Sequence, residues 1–193
     1  MTIAEKIKVA YDSKYNMPIE SWNSFVNCGE VIQTSKEEII KESNTVEKYK
    51  YFILKGCGGI LLWNKNNFVC TDLYFEGMFF GDHMGFITQQ STALQVITFE
   101  PSELFRISRH NFEQLSFNTD SGNKIGRFSA EQRFKNKQIQ QIDILTKTAA
   151  ERYADLQIEH PNILKRIPQK YIASYLGITP QSLSRIRNEK TNY

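Results

Sequence analysis

Near the end of the chain, the stretch QKYIASYLGITPQSLSRIR (Gln169–Arg187) gathers side chains suited to reading a nucleic-acid duplex. Arg185 offers a planar fork that pairs bidentately with guanine O6 and N7, Gln181 has an amide that matches adenine, and Ser182 can bond to either kind of edge. Lys170, Ser184, Arg187 and Lys190 are suited to phosphate contacts, which position a protein on DNA without reading its sequence. Residues 161–193 hold six Lys+Arg (165, 166, 170, 185, 187 and 190) and one acidic residue, Glu189. That surplus is what a polyanion requires.

These groups converge only if the backbone forms two short helices with a tight turn between them. Pro168 suits the opening of the first helix, because the first turn needs no N–H from it, and Gly177 suits the left-handed residue that closes the helix. Thr179 followed by Pro180 supplies an N-cap and first-turn residue for the second helix, expected to run to about Asn188 and to carry Gln181, Ser182, Ser184, Arg185 and Asn188 outward. Ile172, Leu176, Ile178, Leu183 and Ile186 then form the inner face, with small Ala173 at the closest approach. The spacing is that of a helix-turn-helix. A helical hairpin used only for packing has the same outline, but the terminal position and the basic surplus favour DNA. Two copies related by a twofold axis would set their recognition helices one DNA turn apart, about 34 Å, on a near-palindromic site.

Upstream, the period of the apolar residues changes twice. Residues 19–43 open with a short helical pattern and shift toward strand and turn. From Tyr49 to Ile107, short runs rich in aromatic and branched residues ("YKYFILKGCGGILLWNK", "NFVCTDLYFEG", "ALQVITFE", "ELFRISR") alternate with Gly, Asn or Pro, as in a sandwich or barrel. The cluster Gly56, Gly58, Gly59 lacks a following GK[ST], so a turn or bulge is expected there rather than a phosphate loop. From about Ser121 to Glu159 the period is helical, which suggests a helix pair or one long helix with a bend. Ile125, Phe128, Gln132, Ile139 and Ile142 would form a seam for a partner helix from a second copy, with packing on the chain's own β region as the alternative. Pro161 and Pro168 break this pattern ahead of the last module.

Bulk properties narrow the class. A chain of 193 residues, 40% hydrophobic and 23% charged, suits a globular protein with a real core. No apolar run approaches the roughly 20 residues of a membrane span, and the N-terminus lacks the apolar core of a signal peptide, so a cytoplasmic protein without membrane partners is expected. Cys28, Cys57 and Cys70 form no C-x-x-C pair, which argues for free thiols rather than disulfides or a metal site. The net charge of +3 divides unevenly: residues 124–193 carry 13 Lys+Arg and 6 Asp+Glu (+7), leaving 11 and 15 (−4) for residues 1–123.

A β-rich region of roughly 100 residues, a long helix and a terminal helix-turn-helix, in that order, resembles the Crp/Fnr family of bacterial transcription regulators. The resemblance is carried by "FEGMFFGDHMGFITQQSTALQVITFEPSELFRISRHNFEQL" (Phe75–Leu115) and "RIPQKYIASYLGITPQSLSRIRNE" (Arg166–Glu189). It is similar to the branch whose members end soon after the recognition helix, and a C-terminal wing hairpin is expected to be missing. The implied fold is α+β: an N-terminal β jelly-roll sensor related to cyclic-nucleotide-binding domains (1–120), a dimerisation helix (121–145) and a helix-turn-helix domain (146–193). The implied partners are double-stranded DNA, a second copy of the chain and RNA polymerase.

In that family, cyclic AMP binders carry a phosphate-binding cassette. The resemblance puts its Gly-Glu pair at Gly81 and Asp82, and its Arg-Ser/Thr-Ala element at Ser91, Thr92 and Ala93. The cassette arginine neutralises a buried phosphate, and an uncompensated buried anion costs several kcal/mol. Ser91 offers only a neutral hydrogen bond, so cyclic AMP affinity is expected to be lost. Asp82 and Thr92 remain candidates for lining a pocket that takes an unidentified small-molecule effector. Neither iron–sulfur nor haem sensing is expected, because three dispersed cysteines do not make a cluster site and His83, His110 and His160 form no ligand pattern.

Two rival classes remain. A cupin-like enzyme would need several histidines and a carboxylate around a metal, but the three histidines form no H-x-H pair and H-E-x-x-H, G-x-S-x-G and P-loop motifs are absent. No catalytic residue is assigned. A ligand-binding β-roll acting only through protein partners would leave the terminal helices without a role in DNA binding. For the regulator, a signal in the β region would alter the pairing of the long helices, and a bend near Asp143 would reset the spacing of the recognition helices.

Overall fold

The structure, a computed structural model, describes residues 1–12, 16–65 and 67–190, the last two as backbone only. Helices α1 (Ile3–Tyr11) and α2 (Ile19–Asn27) open it, followed by strands β1 (Gly29–Thr34), β2 (Ile39–Lys41), β3 (Tyr49–Lys55), β4 (Gly58–Asn64), β5 (Asn67–Tyr74) and β6 (Phe79–Phe80). A short helix α3 (His83–Thr88) precedes β7 (Leu94–Thr98) and β8 (Ser102–Ser108). The rest is helical: α4 (Arg109–Asn118), α5 (Asp120–Thr146), α6 (Ala149–Glu159), α7 (Ile163–Arg166), α8 (Gln169–Tyr175) and α9 (Pro180–Lys190).

The strands form two four-stranded antiparallel sheets, in the orders β1-β8-β3-β6 and β2-β7-β4-β5. Strand β3 shows why they stack. Its period of two sends Tyr51 and Ile53 toward Ile60, Val96 and Leu104 between the sheets, and Phe52 and Leu54 to the opposite face, where α1, α2 and α5 cover them with Ile7, Phe25 and Ile125. Gly56 turns the chain between β3 and β4 at φ +105, a conformation that favours glycine. At Gly59 a Cβ would sit 2.5 Å from the Phe99 ring. The glycine cluster is therefore a turn and a close approach. The fold is the expected α+β jelly roll with a long helix and C-terminal helices.

Helices α1 and α4 were not anticipated, although both carry local signals. Thr2 and Glu5 form a reciprocal capping box on α1, and Ser108 accepts from the Asn111 N–H to cap α4. The helical stretch beginning near Ser121 divides in two, and the break lies at Lys147–Thr148 rather than near Asp143. Thr148 and Glu151 form a second capping box, so a new helix starts there with its own satisfied N–H groups.

The expected seam also divides. Ile125 and Phe128 are buried within their own chain, packed beside α1 and α2, Gln132 is half-buried, and Ile139 and Ile142 are 48% and 56% exposed, as is the nearby Leu145 at 76%. The first half of α5 is thus spent on the β-roll, and the apolar surface left uncovered lies on its second half.

Candidate functional site

The terminal helix pair is built as its sequence demands. Gly177 adopts φ +70, Thr179 accepts from the Ser182 N–H at 3.1 Å, and α9 begins at Pro180. Pro168 stands as the N-cap of α8 rather than inside its first turn. Ile172, Ala173, Leu176 and Leu183 are fully buried, with Ile178 and Ile186 packed against them. Gln181, Arg185, Arg187 and Asn188 are exposed on α9, Ser182 and Ser184 are half-buried, and Thr179 and Lys170 are exposed. The side chain of Lys190 lies outside the described residues.

This pair is docked on the β-roll. Strand β5 is at the edge of its sheet, and an unsatisfied edge exposes backbone groups that need partners. Ser174 on α8 accepts from the Cys70 N–H at 2.9 Å, and Gln140 on α5 donates to the Thr71 carbonyl at 2.8 Å. The Tyr171 ring packs against Phe68 and Phe99, with its hydroxyl donating to Glu37 at 2.9 Å. The Lys170 ammonium reaches the same Glu37 oxygen at 3.1 Å. From α6, Arg152 donates to the Leu176 carbonyl at the end of α8.

Around Asp82 the structure closes upon itself. Gly81 has φ +127, and Asp82, fully buried, caps α3 by accepting from the Gly85 N–H at 2.9 Å. Its other oxygen takes the Thr92 hydroxyl and the Lys41 ammonium, the latter at 2.9 Å. Lys41 also donates to Thr92 Oγ1 at 2.9 Å and the Leu94 carbonyl at 2.6 Å, so its three N–H groups are all engaged. Burial works to raise the Asp82 carboxyl, but the hydrogen bonds from Gly85, Thr92 and Lys41 outweigh it and hold the group below the ordinary carboxylate range. Neighbouring Glu47 is pushed up to about 7, chiefly by burial.

Ser91 is exposed and Ala93 is half-buried. With both Asp82 oxygens engaged, no cation at position 91 and Lys41 saturated, these residues do not fit a cyclic phosphate. Sequence reading overlooked Lys41, although a lysine closing the apolar strand IIK signals either a strand end or a buried partner.

A cleft of about 350 Å³ lies between the β-roll and the second half of α5. Gly81, Asp82 and His83 line it, and Ser91, Thr92 and Ala93 do not. Its walls are aromatic, including Tyr11, Tyr74, Phe79 and Phe80, and besides Lys137, which pairs with Asp72, two cations stand in them. Lys50 is buried, donates to Ser129 at 2.5 Å and lies 4.8 and 5.2 Å from the Phe112 and Phe79 ring centres. Arg133 donates to the Tyr74 hydroxyl. Among the described residues, neither cation has a carboxylate within ion-pairing distance.

Burial brings the Lys50 ammonium down to about 7, with the charge of Arg133 adding to the effect. His83 falls to about 4 through burial and the nearby Lys50 and Arg133 charges. Lys50 was legible in principle, because it shares the period-two face of Phe52 and Leu54, where a charge has no ordinary place. Asp143, Glu159 of α6 and Tyr175 of α8 also line the cleft.

The thiols of Cys57 and Cys70 are buried and that of Cys28 is half-exposed, all three free. No group of three or more potential ligands capable of holding a metal occurs among the described residues. No described helix is long and apolar enough to cross a membrane.

Residues 32–119 match the cyclic nucleotide-binding domain family. No curated protein matches the sequence. Among solved structures, the chain is similar to FixK2 from Bradyrhizobium japonicum, with 18% identity, TM-score 0.69 and 85% of each chain covered. It is also similar to CLP, a c-di-GMP-responsive global regulator from Xanthomonas campestris, at 13% identity and TM-score 0.67, over 91% of this chain and 92% of that one. A mutant of CooA from Carboxydothermus hydrogenoformans aligns at 15% identity and TM-score 0.63, over 96% of this chain and 83% of that one. The fold is thus that of a cyclic nucleotide-binding β-roll carried on a long helix, with further helices at the C-terminus.

Proposed function

We propose that the chain is a DNA-binding transcription regulator of the Crp/Fnr type, acting in the cytoplasm as a homodimer, with residues 1–120 as sensor, 121–145 as dimerisation helix and 146–193 as DNA-binding domain. The observation that carries this reading is the division of α9 into two faces. Leu183 anchors it in the core, while Gln181, Arg185 and Asn188 stand exposed at the basic end of the chain. Gln181 and Arg185 contact bases together with Ser182, Lys170, Ser184, Arg187 and Lys190 serve the phosphates, and Thr179 belongs to the same DNA-binding surface. The exposed Ile139, Ile142 and Leu145 on α5 support pairing of two copies. A regulator of this kind would act through RNA polymerase.

Similarity to regulators such as FixK2 and CLP supports the reading at the level of fold. Selection from random duplexes tests it. A near-palindromic consensus with half-sites one turn apart is expected. A monomer that ignores duplex DNA even at low salt would sink the proposal.

A further inference from the structure

We infer that the terminal helix pair is carried on the outer face of the β2-β7-β4-β5 sheet as one body with the β-roll, so that two recognition helices change their spacing only when two copies change how they pair. The inference deepens the proposed function, on which it rests for the role of α9, and it replaces a bend in α5 as the moving part.

The sheet carries the argument. Along β4 and β7, the period of two sends Ile60 and Val96 inward between the sheets and Leu61 and Ile97 to the other side. On a free-standing β-roll, Leu61, Ile97 and Phe99 would form a bare apolar face. Here they are 1%, 4% and 0% exposed, in one buried cluster with Ile163, Tyr171 and Leu176. The terminal helices thus share their core with the sheet, and lifting them away would open both surfaces to water.

The joints are tied as well. At the break between α5 and α6, the Lys147 ammonium reaches Asp143 on one helix and Asp155 on the other, each at 2.9 Å. Arg166, at the end of α7, donates to Glu100 from Nε at 2.9 Å and from Nη2 at 2.6 Å, and Nη2 also meets Glu76 at 2.6 Å. On α8, Ser174 takes the Cys70 N–H and Tyr171 meets Glu37. Exposed ion pairs add little one by one, so the shared apolar face is the larger effect. What is left free to change is the pairing of the exposed Ile139 and Ile142 surface of α5, a rotation of whole subunits.

The test is native-state hydrogen exchange on the full chain without DNA, so its outcome is independent of whether α9 reads a duplex. Cys70 lies on the edge strand β5 and its N–H is bonded to α8, which makes it a reporter of the docked state. It is expected to exchange through the same opening as the amides of the central strand β4, with opening constants equal within about threefold and the same denaturant dependence. Tyr171→Ala, which removes the ring packed on Phe68 and Phe99, is expected to weaken protection at Cys70 and in β4 by the same factor. The wild-type comparison stands even where the substituted chain fails to fold. Exchange at Cys70 through any opening that leaves β4 protected, or a Tyr171→Ala effect confined to Cys70, would overturn the inference.

Discussion

The hydroxyl of Tyr171 donates to Glu37 across 2.9 Å, joining residues 134 positions apart and tying the first helix of the terminal pair to the turn between β1 and β2. Lys170 shares the same carboxylate oxygen. A side chain proposed for phosphate contact is therefore held by an acid of its own chain. The Tyr171 hydrogen bond, and then Lys170, hold the Glu37 carboxyl below its ordinary value. Its share of stability is accordingly present above the unfolded pKa and fades as pH falls through the lower folded value.

Replacing Glu37 with Gln should free Lys170 for DNA. The expected result is tighter duplex binding with a salt dependence steeper by about one counterion, read from log K against log salt. An unchanged slope would show that Lys170 does not reach phosphate.

Arg185 and Leu183 lie two residues apart on α9 and should separate reading from folding. Arg185→Ala is expected to cost about 1–3 kcal/mol at one base position while leaving thermal unfolding unaltered. Leu183→Ala, at a fully buried site, is expected to cost about 2–5 kcal/mol of stability. Intact DNA affinity in Arg185→Ala would favour a module that works through protein partners.

Lys41→Ala would strand the buried Asp82 carboxylate, with an expected loss of about 3–5 kcal/mol in urea denaturation. Adding Asp82→Ala should recover much of that loss. The same closure predicts that calorimetry with cyclic AMP or cyclic GMP gives no binding at micromolar concentration, and heat from either would contradict it.

Lys50 should make stability depend on pH in a characteristic window. Its pKa falls from 10.5 to about 7 on folding, so between those values the unfolded chain holds more protons and stability rises with pH. The groups around it are Ser129 on α5, Phe79 on β6, Phe112 on α4 and the nearby charges of Arg133 and His83. Lys50→Met is expected to raise the melting temperature below pH 7, with the gain shrinking toward pH 10. A gain that does not vary with pH would mean that Lys50 does not titrate as described.

The terminal helix pair was legible because its determinants are local: a left-handed glycine, a capping threonine before proline, and apolar residues at helical spacing. The β strands were legible for the same reason, through their period of two. The division of α5 was not. Ile125 and Phe128 have the same spacing as Ile139 and Ile142, and only the presence of α1 and α2 beside the first pair distinguishes them.

By itself, then, the sequence determined a β-rich middle followed by a helical second half, that the chain ends in a basic helix pair, and that position 91 lacks a cation. Those properties reside in neighbouring residues and in side-chain identity. The tertiary structure alone decided that Lys41 closes on Asp82 and Thr92, that Lys50 and Arg133 face one cleft, and that Tyr171 meets Glu37. Each brings together side chains distant along the chain, and whether a charge is paired depends on what folding places beside it.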